Sequence, residues 1–323
     1  MTQIIKYTFD TEEQWHELRS RNIGSSECEA LVGVQKYSTY FTLWHQKKGN
    51  IDAVDFDEND RVFWGAHMEP AIAAGLAKQH ELEIEKVREY YEIDDQPGIG
   101  ASLDYKVKSG NVWVPFEIKN VDRLVWIQEW NTDADPIEPP LHIQVQVQHQ
   151  MLVTGSDHAF IGALVGGNEA HLIRVERHDK IIAAIRKAAT RFWASQEADA
   201  EPDVPLDDHA AENLDTIQKV WVQGVGEAIL DASTLEDSEA VLIKAAIEKY
   251  ATGANMVKGG EALKDEAKIS LMKLAGSYGK IISEWGSFNC NVKPEREEPE
   301  KVVPAKTVKA RRNALVYPKK AKA

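Results

Sequence analysis

Two carboxylates and a lysine lie close together along a short predicted β-hairpin. Residues 112–119 alternate as they do in a strand, so Glu117 and Lys119 point to the same side of it. Residues 108–111 have the composition of a turn. The preceding run through Asp104 is therefore expected to fold back antiparallel and to bring its carboxylate beside that of Glu117.

This grouping has the donor chemistry of a magnesium site. Magnesium prefers oxygen ligands in octahedral geometry and keeps several water molecules. Asp104, Glu117 and the main-chain carbonyl of Ile118 are suitable ligands, and Lys119 can contact a metal-bound water or a phosphate. An isolated motif of this kind also fits a surface hairpin with solvated charges, because Asp, Glu and Lys are abundant.

The composition is that of a globular enzyme. The chain has 323 residues, 43% hydrophobic and 28% charged, which is enough for one large core and a smaller domain. Cys28 and Cys290 are its two cysteines, too few for a disulfide framework or a four-thiolate metal site. The sequence shows neither a signal peptide nor a stretch of membrane-spanning length, so we expect a cytoplasmic protein with no membrane partner.

The formal net charge of -14 argues against broad, nonspecific adhesion to nucleic acid. It does not exclude an enzyme that acts on DNA, since bound metal ions and a locally basic channel can offset the phosphate charge. Any contact with DNA should then be concentrated in one region and should depend strongly on salt.

The N-terminal third is predicted to be mainly helical. Residues 11–20 and 59–80 read as helices, and 81–91 as an extended segment. Pro70 starts or kinks part of the second helix, which places Glu69 at an irregular position. The polar residues around the predicted turn at Gly24 are Arg19, Arg21, Ser25 and Ser26.

Residues 141–155 are ambiguous between strand and helix. Alternating glutamines indicate a strand, whereas an apolar helical stripe, Pro139–Pro140 before it and Gly155 after it favour a helix. We predict a helix. A short helix at 124–130 and a loop at 132–140 precede this segment. Strands at 159–165 and 170–177 follow it, and then comes a helix that Asp179 caps and that runs to about 198.

The C-terminal part differs in composition. Residues 201–208 are acidic and contain proline, as a linker would, after a predicted core at 1–200. A mainly helical domain is predicted at 209–293, with helices at about 211–229, 237–250 and 255–284 and a strand at 287–293. Residues 294–323 form a charged tail that we expect to be flexible, and 301–323 hold eight Lys or Arg and no acid.

Five motifs follow one another in a specific order, namely Arg19–Glu27, Trp64–Glu69, Ser102–Asp104, Glu117–Lys119 and Val145–Met151. In order and spacing they resemble the phage lambda exonuclease and YqaJ-type viral recombinase family of the PD-(D/E)xK nuclease superfamily. The resemblance covers about residues 15–200. It implies an α/β, restriction-endonuclease-like core, with a mixed central sheet flanked by helices.

The resemblance also implies roles for single residues. Asp104 and Glu117 match the central metal ligands, Glu69 matches the carboxylate that completes the site, and Lys119 matches the lysine beside the attacking water. Gln146 matches a glutamine that arranges the site, and its neighbour Gln148 has a less certain role.

A pocket for a terminal 5′ phosphate is implied at Ser26, with Ser25 beside it and with Arg19 or Arg21 as the guanidinium. The spacing to the serine favours Arg19, and proximity to the turn favours Arg21. Two departures from the family concern neighbouring positions. Leu103-Asp104-Tyr105 stands where the lambda enzyme has Pro-Asp-Gly, and Ile143 stands where it has a tyrosine.

The implied activity is magnesium-dependent hydrolysis of one strand of linear duplex DNA from 5′ to 3′, which leaves 3′ single-stranded overhangs for phage-type recombination. Glu117 would bridge two Mg²⁺ ions, for which Mn²⁺ could substitute, and Lys119 would position or deprotonate the attacking water. The implied partners are duplex DNA ends, a single-strand annealing protein and further copies of the chain in a trimeric ring.

Three alternatives use the same core. A structure-specific or restriction-like endonuclease would have the same ligands but would cut closed circular DNA. An iron–sulfur nuclease needs four cysteines, and this chain has two. A noncatalytic DNA-binding module would not need the complete set of Glu69, Asp104, Glu117 and Lys119.

Overall fold

The computed structural model describes residues 3–34, 36, 38–52, 60–205, 210–220, 230–283 and 286–290. The chain divides into two compact units, Met1–Val220 and Trp221–Ala323. Within the described ranges, no helix combines the length and the apolar character needed to span a bilayer.

The described part of the first unit contains both helices and strands. Its helices are α1 Glu12–Ser20, α2 Cys28–Leu31, α3 Tyr40–Lys48, α4 Asp60–Gln79, α5 Arg123–Glu129, α6 Leu141–Thr154, α7 Asp179–Glu197 and α8 Ala210–Val220. Its strands are β1 Ile4–Thr8, β2 Ile84–Lys86, β3 Glu89–Ile93, β4 Gly100–Ser102, β5 Tyr105–Ser109, β6 Val112–Val121, β7 His158–Val165 and β8 Glu169–Glu176.

Five of these strands form a mixed central sheet in the order β2-β5-β6-β7-β8. β6 and β7 are parallel, and the other neighbours are antiparallel. A parallel pair needs a crossover, which here contains α5 and α6. A smaller antiparallel sheet has the order β1-β3-β4. The sheet and its flanking helices confirm the expected α/β core.

Helices cover both faces of the central sheet. α4 packs Ile72 and Leu76 against the side chains of β5 and β6, including Phe116. α6 packs Met151 against β7 on the other side. α4 can approach closely because residue 162 in β7 is glycine, and a Cβ there would lie 2.5 Å from Leu76 and 2.9 Å from the Phe116 ring.

The turn that follows α1 is attached to the small sheet. Ile23 forms a parallel bridge with Ile99, in which its N–H donates to Gly98 over 2.9 Å and its carbonyl accepts from Gly100 over 3.2 Å. Ile23 is fully buried in the core. The polar residues around Gly24 are thereby held beside the strand that leads to Asp104.

Most predicted elements of this unit are confirmed within a few residues. The interpretation of 141–155 as a helix is correct, because α6 begins after Pro140 and ends at Gly155 in the left-handed region. The prediction of Asp179 as the cap of α7 is wrong. His178 is the N-cap, because it has the extended backbone of a cap and its ring accepts from the N–H of Ile181.

The first unit includes α8, which packs on α3. Hydrogen bonds join Thr39 to Asn213 over 2.7 Å and Thr42 to Thr216 over 2.8 Å, all of them buried. The compact unit therefore continues past the predicted linker at 201–208, of which 206–208 lie outside the described residues. The division into a core at 1–200 and a domain at 209–293 stays a prediction.

The described part of the second unit consists of a 3₁₀ turn at Ala232–Thr234, helix α9 at Asp237–Ala275, and strands β9 at Lys280–Ser283 and β10 at Gly286–Asn289, which pair antiparallel. The prediction of two helices at 237–250 and 255–284 is wrong. α9 runs without a break through both segments, and it ends nine residues before the predicted end, where β9 follows. The tail at 294–323, residues 221–229 and residues 291–293 of the predicted strand lie outside the described residues.

Candidate active site

Asp104 lies between β4 and β5, opposite the middle of β6. Tyr105 pairs with Phe116, as the predicted hairpin requires, and Oδ2 of Asp104 accepts the main-chain N–H of Ile118 over 3.0 Å. Burial raises the pKa of Asp104 well above its usual value, and the negative charges of Glu117 and Glu69 raise it further. An excess of negative charge therefore surrounds this carboxylate.

Glu117 is almost completely buried, with 3% of its surface exposed. Its Oε1 accepts from Lys119 Nζ and from Gln146 Nε2, both over 2.7 Å. Its Oε2 accepts from Gln150 Nε2 over 2.5 Å. Three donors therefore fix both oxygens, as a buried carboxylate requires. Lys119 Nζ also donates to Gln146 Oε1 over 2.9 Å, which links the lysine to the glutamine.

The glutamines of α6 have different partners. Gln146 and Gln150 both contact Glu117, whereas Gln148 accepts from the N–H of His178 and donates to the carbonyl of Glu176, both over 2.7 Å. Gln148 thus joins α6 to the start of α7. No role for Gln150 was predicted from the sequence, although its spacing of four residues from Gln146 on a helix could have indicated one.

Glu69 lies on α4 immediately before Pro70 and forms an ion pair with Lys86 at 3.2 Å. Its negative charge helps to raise the pKa of Asp104, after burial and the charge of Glu117. Among the described residues, however, no three His, Cys, Asp or Glu side chains converge closely enough to hold one metal ion. The structure therefore brings Asp104 near Glu117, and it leaves Glu69 bound to Lys86.

The chemistry of the donor set fits a divalent cation. A cation beside Asp104 would neutralise the negative charge that raises its pKa, and carboxylate oxygens are the ligands that Mg²⁺ prefers. Asp104 and Glu117 would be the residues to hold such an ion. The roles of Glu69 and of the Ile118 carbonyl stay predictions.

One cavity contains both predicted halves of the site. It has a volume of about 250 Å³, and its polar lining includes Arg19, Ser25, Ser26, Ser102, Asp104, Glu117, Gln146 and Gln150. The guanidinium of Arg19 lies over the ring of Trp15 at 4.6 Å, and Trp15 donates to Ser102 over 2.8 Å. Arg19, Ser25 and Ser26 from the predicted phosphate-binding set therefore line the same cavity as Asp104, Glu117 and Gln146 from the predicted catalytic set, whereas Lys119 is not among the lining residues.

Arg21 is not among the residues that line this cavity. Its guanidinium forms an ion pair with Glu92 at 2.9 Å and lies over the ring of Tyr7 at 5.1 Å. The bond to Glu92 raises the pKa of Arg21. The structure thus places Arg19 with Ser25 and Ser26, and it places Arg21 with Glu92.

Comparison with known proteins gives a consistent family. Residues 14–157 match the YqaJ-like viral recombinase domain. The uncharacterized protein YqaJ of Bacillus subtilis is 24% identical over 192 residues, which are 59% of this chain and 58% of that protein. The matched part thus spans less than two thirds of the relative's length.

Two similar solved structures are described as exonucleases. The alkaline exonuclease LHK-Exo of Laribacter hongkongensis has 20% identity and a TM-score of 0.45 over 58% of this chain and 93% of that chain. A phage related exonuclease from Haemophilus somnus has 12% identity and a TM-score of 0.39 over 55% and 96%. The range that matches the YqaJ-like viral recombinase domain, residues 14–157, contains all five motifs from Arg19 to Met151.

Proposed function

We propose that this chain is a magnesium-dependent exonuclease that degrades one strand of linear duplex DNA from 5′ to 3′ and leaves 3′ overhangs. The observation that carries the proposal is the single cavity lined by Arg19 and Ser26 together with Asp104 and Glu117. A nuclease of the phage recombination type is also consistent with the matched YqaJ-like viral recombinase domain.

In this proposal the two sides of the cavity have separate tasks. Arg19 binds the terminal 5′ phosphate through paired N–H donors, and the hydroxyls of Ser25 and Ser26 add further contacts. Lys119 orients the attacking water at the other side, where its ammonium is held between Glu117 and Gln146, and it can take up the proton of the water only in its neutral amine form. The distance between the phosphate and the cleaved bond is then set by the cavity.

Asp104 and Glu117 would hold Mg²⁺, with Glu69 and the Ile118 carbonyl as further candidates. When bound, the ion would activate water and offset charge on the phosphodiester. A second ion and substitution by Mn²⁺ are part of the proposal. A trimeric ring and a single-strand annealing partner are also proposed, and both rest on the family resemblance.

The test uses purified protein with magnesium and a duplex that carries 5′ phosphates. We expect linear duplex to be shortened and closed circular duplex to stay intact. Lys119→Met should lower the rate about 100-fold or more, since general acid–base groups contribute on that scale. Lys108→Met is the matched control, because Lys108 lies on the same hairpin and pairs with Glu83. Cleavage of the circular duplex at a similar rate would instead favour the endonuclease alternative.

A further inference from the structure

A buried lysine lies directly behind the turn that carries the cavity residues. Lys47 Nζ contacts Oε2 of Glu27 at 2.8 Å and donates to the main-chain carbonyl of Arg19 over 2.8 Å. The same oxygen of Glu27 accepts the N–H of Gly24 over 2.8 Å. One carboxylate and one ammonium thus join the end of α1 to the turn.

The element that carries Lys47 is firmly anchored. Lys47 lies in the last turn of α3, where Trp44 is buried and accepts a hydrogen bond at its carbonyl from Gln196 over 2.7 Å. Only 6% of the Lys47 side chain is exposed. A lysine this deeply buried needs a charged partner, and Glu27 supplies it. Burial lowers the pKa of Lys47, and the charge of Glu27 opposes that change.

Glu27 has two cationic neighbours at different distances. Its Oε1 lies 3.8 Å from Nη2 of Arg19, which is longer than a hydrogen bond, whereas Oε2 contacts Lys47 at 2.8 Å. The Arg19 side chain is 32% exposed and lines the cavity. The charge of Glu27 is therefore balanced mainly by Lys47, and the three side chains together carry one net positive charge.

We propose that Lys47 is a positioning residue for Arg19, because it neutralises Glu27 and so leaves the Arg19 guanidinium free to bind a terminal phosphate. Without Lys47, Glu27 would draw Arg19 into a direct ion pair, and the phosphate would have to compete with that carboxylate. The proposal rests on the proposed function, since it concerns the phosphate side of the same cavity. It concerns binding of the DNA end, not the chemical step.

The experiment measures binding of short linear duplexes that end in a 5′ phosphate or a 5′ hydroxyl, by fluorescence anisotropy in EDTA. Lys47→Met should weaken binding of the phosphate-ended duplex about tenfold, the scale of one charge-assisted hydrogen bond, and leave the hydroxyl-ended duplex unchanged. Glu27→Gln keeps an acceptor for Gly24 and should bind the phosphate-ended duplex at least as well as the wild type.

The double variant separates charge from structure. Lys47→Met with Glu27→Gln has the same net charge around Arg19 as the wild type, so we expect its affinity for the phosphate-ended duplex to recover to near the wild-type value. Lys48→Met is the control, because Lys48 bonds to Asp199 and the Gln196 carbonyl instead. Melting temperatures accompany every variant, and where Lys47→Met does not fold, Lys47→Gln, which also removes the charge, takes its place in both comparisons.

Two results would overturn the proposal: an equal loss of affinity for both duplex ends in Lys47→Met, or no recovery in the double variant. The nuclease assignment fails separately. A wild-type protein that selects the 5′ phosphate in EDTA but does not degrade DNA with magnesium would support the role of Lys47 and contradict the exonuclease. Normal degradation by the wild type, together with a Lys47→Met variant that binds the phosphate-ended duplex as tightly as the wild type does, would support the exonuclease and contradict the role of Lys47.

Discussion

The ionisation of Asp104 depends on its burial and on the charged groups around it. Its pKa is raised by burial and by the carboxylates of Glu117 and Glu69, so the folded protein binds this proton more tightly than the unfolded chain does. Stability from this group is therefore greatest at acid pH. It is lost as the pH rises from the ordinary aspartate range to the raised pKa of the folded state.

Asp104→Asn should accordingly make the protein more stable near pH 7 when no divalent metal is present. The amide oxygen can still accept the N–H of Ile118, and the unfavourable charge is removed. We expect a melting temperature about 2–4 °C higher than that of the wild type. The difference should shrink toward pH 4 and also when Mg²⁺ is added, because only the wild type gains by binding the ion.

Differential scanning calorimetry at several pH values checks this expectation. Asp133→Asn, in an exposed loop, serves as the control. A lower melting temperature for Asp104→Asn at neutral pH without metal would contradict the electrostatic argument.

At the scale of single residues, part of the site could be predicted from the sequence. Asp104 and Glu117 were expected to meet because they belong to one hairpin, and local periodicity fixes such a pair. The sequence could not choose between Arg19 and Arg21. The two arginines differ in the structure because Glu92, which lies 71 residues beyond Arg21, binds Arg21.

At the scale of the element, α6 presents glutamines on more than one face. Gln146 and Gln150 are four residues apart and reach the same carboxylate, and Gln148 faces α7. Gln150→Leu keeps the approximate volume but removes the donor to Oε2 of Glu117. A buried carboxylate oxygen then lacks its partner, and we expect kcat on linear duplex to fall about tenfold.

Gln144→Leu is the matched substitution on the same helix, because Gln144 donates to the carbonyl of Pro139 at the start of α6. Steady-state kinetics with both variants separate kcat from KM. Equal kcat values for the two variants would show that Gln150 has no special relation to Glu117.

Element boundaries were predictable where the sequence carries strong local signals. Pro140 and Gly155 delimit α6 as expected. Gly259 and Gly260 did not break α9, because a glycine within a helix costs only about 1 kcal/mol relative to alanine. The short β9–β10 hairpin was not predicted as a pair, because residues 280–283 were assigned to the preceding helix.

At the scale of the whole molecule, the net charge of -14 restricts where DNA can bind. Most of the surface should repel phosphate, and the cationic groups Arg19 and Lys119 lie in or beside one cavity. If that cavity receives a DNA end, affinity should follow the number of ends and not the length of the duplex.

We therefore predict that linear duplexes of about 20 and about 60 base pairs with the same ends bind equally well at physiological salt, since nonspecific affinity would grow with the number of phosphates. Competition with a labelled linear duplex in EDTA measures this. A closed circular duplex offers no end and should compete poorly at equal base-pair concentration. Removal of residues 301–323, which hold eight Lys or Arg, is the internal control. If the circular duplex competes with the full chain but not with the shortened chain, the length-dependent binding belongs to the tail, and the cavity remains the end-specific site. If the circular duplex still competes after residues 301–323 are removed, end-specific binding is contradicted.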